Sequence, residues 1–167
     1  PRPRAVRSSQ PLLGMQVLPS SLGIELDPRV RPGQVQEAEM VLPAAEHMFT
    51  EEIGYPPYQG SPTDYLDSLR ALLRKGRTYL VVEDGEVIFK ADVGSLAFGC
   101  AQIQGVWLDP TLRGQRLSAP AMAGVVQLAR LRHHTVTLYV NDFNVAARST
   151  YDAVGFRRVG TMTTILY

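Results

Sequence analysis

Apolar side chains in the first half of the chain recur every three or four residues, the spacing of a helix that is apolar on one face. This spacing predicts helices over residues 34–53 and 63–76. Pro43 falls inside the first helix and predicts a kink or a late start. Residues 54–62, GYPPYQGSP, combine glycine, proline and aromatic residues and predict a loop between the two helices.

Beyond residue 76 the apolar positions change to the spacing of strands. Residues 77–84 and 86–93 predict two strands, and Asp84-Gly85 between them is a strong signal for a hairpin turn. A third strand is predicted over residues 99–110, ending at proline.

The remainder of the chain alternates between the two patterns. It predicts a helix over 114–132, a strand over 135–140, a short helix over 144–155 and a final strand or hairpin over 156–167. A strand, a helix and a strand in succession place the helix across a parallel pair. We therefore expect a mixed α/β or α+β domain, with the sheet and helices in one core.

The first 33 residues show neither pattern for long, because six prolines interrupt them. Residues 1–30 are interpreted as an arm, a linker or the remnant of a preceding domain, and one or two strands docked on the core are the alternative. The chain begins with Pro1, so we expect it to be a piece of a longer protein.

Composition is that of an ordinary globular domain. The 167 residues are 45% hydrophobic and 20% charged, with a formal net charge of +1, which suits one domain and gives no strong attraction to nucleic acid or anionic membranes. No apolar run approaches the roughly 20 residues of a membrane span. A single cysteine, Cys100, fits a reducing compartment. His47, His133 and His134 have no partners at metal-ligand spacing, so no metal is predicted.

The turn at TLRGQRLSAP, residues 111–120, carries the first candidate chemistry. The first amides of a helix have no partner within the helix, and the helix dipole makes that end partly positive, so the turn suits a phosphate. Gly114 allows close backbone approach, and Arg113 and Arg116 add forked donors. The alternative is an ordinary helix start with two solvated arginines.

This turn resembles the pyrophosphate-binding loop of the GNAT superfamily of N-acetyltransferases. In that family a strand and a hydrophobic-x-Pro segment lead into Arg/Gln-x-x-Gly-x-Gly/Ala, and VWLDPTLRGQRLSAP is similar, with Arg113 at the first motif position. Arg116 stands where the family usually has glycine, and Ser118 stands where glycine or alanine is usual.

A second segment, NVAARSTYDAVGF, resembles the same family more closely. It fits the pattern Asn-x-x-Ala-x-x-x-Tyr-x-x-x-Gly-Phe at every fixed position, namely Asn144, Ala147, Tyr151, Gly155 and Phe156. Without the family, Asn144 would be a helix cap and Tyr151 a core tyrosine.

The resemblance implies the GNAT acyl-CoA N-acyltransferase fold over residues 31–167, with a central mixed, mostly antiparallel sheet flanked by helices. The similarity is to the second half of a branch of two-part proteins. It implies transfer of an acetyl group from acetyl-CoA to a primary amine, by direct attack and a tetrahedral intermediate. The acetyl-CoA contacts it implies are Val106, Trp107, Leu108, Arg113, Gly114, Gln115, Arg116, Leu117, Ser118, Asn144, Ala147 and Tyr151.

Further roles also follow from the resemblance. Tyr151 would be the catalytic residue that donates a proton to the leaving thiolate, and Gly105 would permit a bulge that opens the sheet beside the thioester. The general base stays open among four carboxylates, each more often a solvated side chain: Glu51, Glu52, Glu83 and Asp92. Lys90, within a predicted strand, is interpreted as a surface lysine.

Two other functions compete with the enzyme. A catalytically degenerate fold acting as an acyl-CoA sensor or scaffold is favoured by Arg116 and opposed by Asn144 and Tyr151. A nucleic-acid binder using residues such as Arg130 and Arg132 is disfavoured by the balanced charge. The expected partners are acetyl-CoA and an amine acceptor, small molecule or protein, with a homodimer left open and neither nucleic acid nor membrane expected. The expected location is the cytoplasm.

Overall fold

A single seven-stranded sheet organises the chain in the computed structural model, which describes residues 9–163. The strands are β1 (Ser9–Met15), β2 (Arg31–Pro32), β3 (Thr78–Glu83), β4 (Glu86–Ala97), β5 (Cys100–Leu108), β6 (Thr135–Tyr139) and β7 (Arg157–Thr163). The helices are α1 (Ala38–Ile53), α2 (Thr63–Arg74), α3 (Ser118–Arg130) and α4 (Val145–Val154). Short 3₁₀ turns occupy Pro19–Leu22, Val35–Glu37 and Pro110–Leu112.

Strand pairing makes the sheet mixed and mostly antiparallel, as predicted. The order across the sheet is β2-β3-β4-β5-β6-β1-β7, and every adjacent pair is antiparallel except β5 and β6. Helix α3 connects these two parallel strands, which confirms the predicted crossover. The predicted hairpin at Asp84-Gly85 is also present, and both residues adopt the left-handed backbone that such turns require.

Helices cover both faces of the sheet and give the domain two apolar clusters. The larger cluster joins β1 and the central strands to α3 and α4, and it includes Val93, Met122, Leu138 and Val154. The smaller cluster lies under α1 and α2 and includes Val41, Leu69, Leu80 and Trp107. Burial of these side chains is the main favourable contribution to folding.

The N-terminal segment contributes a strand, which corrects the interpretation of residues up to 30 as an arm. Strand β1 lies between β6 and β7 and is antiparallel to both, so the docked-strand alternative describes Ser9–Met15. Leu13 and Met15 are buried on one face, and the carbonyl of Pro11 accepts a hydrogen bond of 3.3 Å from the amide of Val140. Proline removes a donor but keeps its carbonyl, so the segment still pairs. Residues 1–8 of the predicted arm and residues 164–167 of the predicted last strand lie outside the described residues.

Three element boundaries differ from the predictions by four residues, and the first is the start of helix α1, at Ala38 rather than at residue 34. Strand β4 continues to Ala97 and forms a second hairpin with β5 through Phe98-Gly99, both left-handed. Helix α3 begins at Ser118, four residues later than predicted, because Gly114 and Arg116 have positive φ angles that a helix cannot contain. The residues before Ser118 are therefore loop, and their amides are available for other contacts.

Candidate functional site

The two parallel strands at the centre of the sheet separate towards one end. Pairing between β5 and β6 runs from Cys100↔Thr135 to Gln102↔Thr137, whereas β5 continues to Leu108 and β6 to Tyr139. Because the strands are parallel, their carboxyl ends lie at the same edge of the sheet, and α3 and α4 both begin there. The diverging strands and two helix N-termini together outline a cleft.

A bulge in β5 lies beside this divergence. In the pairing of β4 with β5, Lys90 faces Trp107 and Asp92 faces Gln104, so two residues of β5 stand opposite one residue of β4. The extra residue is accommodated at Gly105, whose φ of +58° is left-handed. The bulge expected at this glycine is present.

The loop from β5 into α3 carries a run of unused backbone donors. Within residues 9–163, the amides of Gly114 to Ala119 donate no hydrogen bond, and Pro120 has no N–H. The first turn of α3 has no acidic residue and no side-chain cap. Six consecutive free amides at the positive end of a helix can bind an anion.

Two left-handed residues set the backbone conformation of this loop. Gly114 has a φ of +80° and Arg116 has a φ of +59°, and the left-handed Arg116 next to the right-handed Leu117 is the kind of backbone pattern found in anion-binding nests. Arg116 therefore adopts the conformation that glycine takes readily, although it carries a side chain. That side chain is exposed to solvent.

Arg113, expected to bind phosphate, pairs with Glu51 at the surface of the protein. Its two terminal nitrogens donate to Glu51 Oε1 and Oε2 at 3.0 and 2.9 Å, and its Nε donates to the Leu108 carbonyl at 3.1 Å. Its amide donates to the Pro110 carbonyl at 3.3 Å. The Arg113 guanidinium holds the pKa of Glu51 below its usual range. This forked pair ties the start of the loop to the end of α1.

The side chain of Tyr151 is largely buried, but its hydroxyl oxygen is not completely enclosed. The residue is 7% exposed, and its ring lies edge-on to Phe156 with centroids 5.9 Å apart. Its hydroxyl has no hydrogen-bond partner within the described part of the chain, yet it is not one of the fully buried unpartnered atoms. Burial, and secondarily the charge of Glu52, raises the pKa of Tyr151 to about 12. The phenol is therefore protonated at neutral pH and able to donate.

Asn144 caps α4, as its alternative interpretation predicted. Its Oδ1 accepts a hydrogen bond from the amide of Ala147 at 3.1 Å, and Gly155 ends the helix with a φ of +102°. Ala147 packs against the larger apolar cluster. The motif thus fixes both ends of the helix that carries Tyr151.

The strand residues expected beside acetyl-CoA divide between the two faces of the sheet. Val106 and Leu108 pack with the cluster under α3 and α4. Trp107 points to the opposite face, under α1, where its indole Nε1 donates to Nδ1 of His47 at 3.1 Å. The Trp107 side chain is therefore core, and only its backbone can line the cleft.

The four candidate carboxylates have different surroundings. Glu51 is paired with Arg113, Glu83 accepts from Arg29 at 2.8 Å, and Asp92 is buried. Glu52 forms no ion pair with any residue in the described range. Glu52 is an exposed residue, but the surrounding protein partly removes its carboxylate from water, and this desolvation raises its pKa. The positive charge of Lys90 lowers the same pKa by a smaller amount. The charge of Glu52 also contributes to the raised pKa of Tyr151.

Lys90 is buried, which corrects its interpretation as a surface lysine. It is 1% exposed, and its Nζ donates to Asp92 Oδ2 at 2.5 Å and to the Gly105 carbonyl at 3.2 Å. Thr78 donates from Oγ1 to Asp92 Oδ1 at 2.8 Å. The signal was present in the sequence, because a lysine and an aspartate two residues apart in a strand share one face. Cys100 is partly buried, with Sγ 3.4 Å from Thr137 Oγ1.

Residues 9–163 contain neither a metal-ligand cluster nor a membrane-spanning helix. Within that range no three or more histidine, cysteine, aspartate or glutamate side chains are grouped so that they could hold a metal ion. Every helix there is too short or too polar to cross a membrane.

The profile of the acetyltransferase (GNAT) family matches residues 43–156. A comparison with curated proteins gave no match.

Solved structures share the fold. A putative GNAT-family acetyltransferase from Novosphingobium aromaticivorans superimposes with a TM-score of 0.68 at 23% identity, covering 99% of this chain and 67% of that one. A GNAT-family acetyltransferase from Colwellia psychrerythraea gives 0.71 at 13% identity, covering 96% and 56%. A predicted acetyltransferase from Clostridium acetobutylicum, solved with acetyl-CoA, gives 0.59 at 15% identity, covering 78% and 90%. The chain thus spans about half to two thirds of the length of the first two structures.

Proposed function

Because the chain belongs to the GNAT family of acetyltransferases, we propose that it transfers an acetyl group from acetyl-CoA to a primary amine. Acetyl-CoA supplies an activated acetyl thioester, and the acceptor amine attacks its carbonyl carbon directly. The observation that carries the proposal is the run of free amides from Gly114 to Ala119 at the mouth of the β5–β6 cleft.

The residues of this run fit a diphosphate. Its oxygens need several donors at once, and a left-handed backbone such as that at Gly114 and Arg116 is typical of loops whose amides bind anions. The Arg113–Glu51 pair stabilises the loop before any ligand arrives. Arg116 was the reason to consider a degenerate fold, but its glycine-like backbone keeps the amides in place.

Tyr151 is the proposed general acid. A thiolate leaving group must gain a proton, and a phenol with a pKa of about 12 stays in its donor form at neutral pH. Its hydroxyl has no competing partner within residues 9–163, so it can donate to the leaving sulfur.

Glu52 is the proposed general base. An acceptor amine with a pKa of about 10.4 is almost fully protonated at neutral pH and must lose a proton before it attacks. Of the four carboxylates considered, Glu52 combines an unpaired carboxylate with electrostatic coupling to Tyr151. Its raised pKa makes it a stronger base than an ordinary glutamate.

The cytoplasm is the proposed location, because acetyl-CoA and a reduced Cys100 are both expected there. Acceptor specificity is assigned to the segments around the cleft mouth, including the loop over 54–62 that follows Glu52.

Isothermal titration with acetyl-CoA tests the proposal. We expect measurable binding, followed by acetylation of some member of a panel of amines, peptides and protein N-termini. Arg113→Ala serves as a companion variant, because it frees Glu51 and unties the loop while leaving the six amides intact; it should bind more weakly than the unmodified protein. No heat at millimolar acetyl-CoA would reject the proposal.

A further inference from the structure

Lys90 and Asp92 form a buried ion pair beside Gly105 of the β5 bulge, and the mechanism proposed above gives this pair no role. Lys90 and Asp92 are 1% and 5% exposed, and they lie on neighbouring same-face positions of β4. Thr78 satisfies the second carboxylate oxygen of Asp92. Burying two charges costs free energy unless each charge has several partners, so the other partners of this pair indicate what the pair does.

Besides Thr78, the backbone of the β5 bulge is a hydrogen-bond partner of the ion pair. Lys90 Nζ donates to the Gly105 carbonyl at 3.2 Å. A Cβ built on Gly105 would lie 2.8 Å from Asp92 Oδ2 and 3.3 Å from Lys90 Nζ, so the pair fits against a residue without a side chain. The left-handed φ of Gly105 independently favours glycine there.

The contact between Lys90 and the Gly105 carbonyl also fixes the direction of the next amide, that of Val106. In a trans peptide the C=O and the following N–H point in opposite directions. Because the Gly105 carbonyl points to Lys90, the N–H of Val106 points away from it. Val106 is one of the two bulge residues of β5 that lie opposite Ala91, and the pairing of β5 with β6 ends at Gln102. The Lys90 contact thus orients the Val106 amide away from the ion pair, in the part of β5 that lies beyond its pairing with β6.

We propose that Lys90 is a positioning residue, which holds the Gly105–Val106 peptide so that the Val106 amide donates to the carbonyl oxygen of the acetyl thioester. The inference rests on the proposed function, because it needs acetyl-CoA in the cleft. An amide fixed in advance stabilises negative charge on that oxygen without reorganising during the reaction. Asp92 keeps Lys90 in place, and Thr78 keeps Asp92 in place.

The test uses the Lys90→Met/Asp92→Asn double variant of the full chain, which removes both charges and so leaves no buried charge without a partner. Val81→Ala is the matched control, because Val81 is equally buried on the neighbouring strand β3 and lies away from the bulge. The probes are CoA and acetyl-CoA labelled with ¹³C at the carbonyl. Infrared spectroscopy measures the carbonyl stretch, and titration measures both dissociation constants.

In the unmodified protein and in Val81→Ala, we expect the bound carbonyl to stretch at lower frequency than in the double variant. The Kd for CoA, which has no acetyl carbonyl, should stay within about twofold in all three. An equal carbonyl frequency in the double variant and the unmodified protein would overturn the role of Lys90. Absence of binding to the unmodified protein would instead reject the proposed function, so the two failures are distinct.

A second measurement needs no variant and covers the case in which the double variant does not fold. In ¹⁵N-labelled unmodified protein, the Val106 amide proton should move downfield with acetyl-CoA and much less with CoA. The same Val106 shift with both ligands would refute the inference.

Discussion

Replacing Arg116 separates two consequences of an arginine in a left-handed loop position, namely the conformational cost to stability and the effect of its charge on CoA binding. A non-glycine residue at a φ of +59° costs roughly 1–2 kcal/mol relative to its preferred backbone. Glycine avoids that cost but loses about 0.4–1 kcal/mol through greater freedom in the unfolded chain. Arg116→Gly should therefore unfold with a free energy about 1 kcal/mol higher, a rise in Tm of about 2–4 °C for a domain of this size.

Arg116→Ala is the control, because it removes the same charge but keeps a Cβ in the left-handed conformation. Both variants lose an exposed guanidinium beside the proposed phosphate site, so both should bind CoA roughly fivefold more weakly. Urea unfolding compares the stabilities, and titration with CoA compares the affinities at two salt concentrations. Equal stability of the two variants would refute the backbone argument, and tighter binding by either would show that the side chain obstructs the site.

Three further changes test other parts of the molecule. Tyr151→Phe should lower kcat about 10²–10⁴-fold with little change in the Kd for acetyl-CoA, and unchanged turnover would exclude Tyr151 as the acid. Glu52→Gln should remove the acidic limb of the kcat/KM profile; in the unmodified protein that limb should lie above the ordinary glutamate pKa of 4.5, because activity falls as the raised pKa of Glu52 is crossed from above. Glu37, whose pKa is lowered chiefly by its hydrogen bond to Arg31, contributes stability above the unfolded-state pKa that is lost as pH falls through the folded-state value. Thermal melts of Glu37→Gln and the unmodified protein should therefore converge as pH falls through the lowered folded-state pKa of Glu37, and a constant difference in Tm would contradict this.

Local signals made most of the fold predictable. Helix α4 was recognisable because Asn144 caps its start and Gly155 ends it, and the hairpin at Asp84-Gly85 was recognisable from two residues. Strand β1 was not favoured, because its partners β6 and β7 lie more than 100 residues away and its prolines weaken the local pattern. Pairing over such distances is a property of the whole sheet.

The site was predictable in its motifs and less so in its side chains. The sequence located the loop around Gly114 and the tyrosine at 151, but it could not distinguish Glu51 from Glu52. Adjacent residues on a helix point about 100° apart, so which one meets Arg113 depends on how α1 packs. Burial of Lys90 likewise depends on the layer of α1 and α2 above it.

The central claim is that the amides from Gly114 to Ala119 bind the diphosphate of coenzyme A. Titration of ¹⁵N-labelled protein with CoA, followed by amide NMR, tests it directly. We predict that the amide protons in this run move downfield together at saturation, because each gains a charge-assisted hydrogen bond. Saturable CoA binding that leaves these resonances in place, with the shifts elsewhere, would contradict the account.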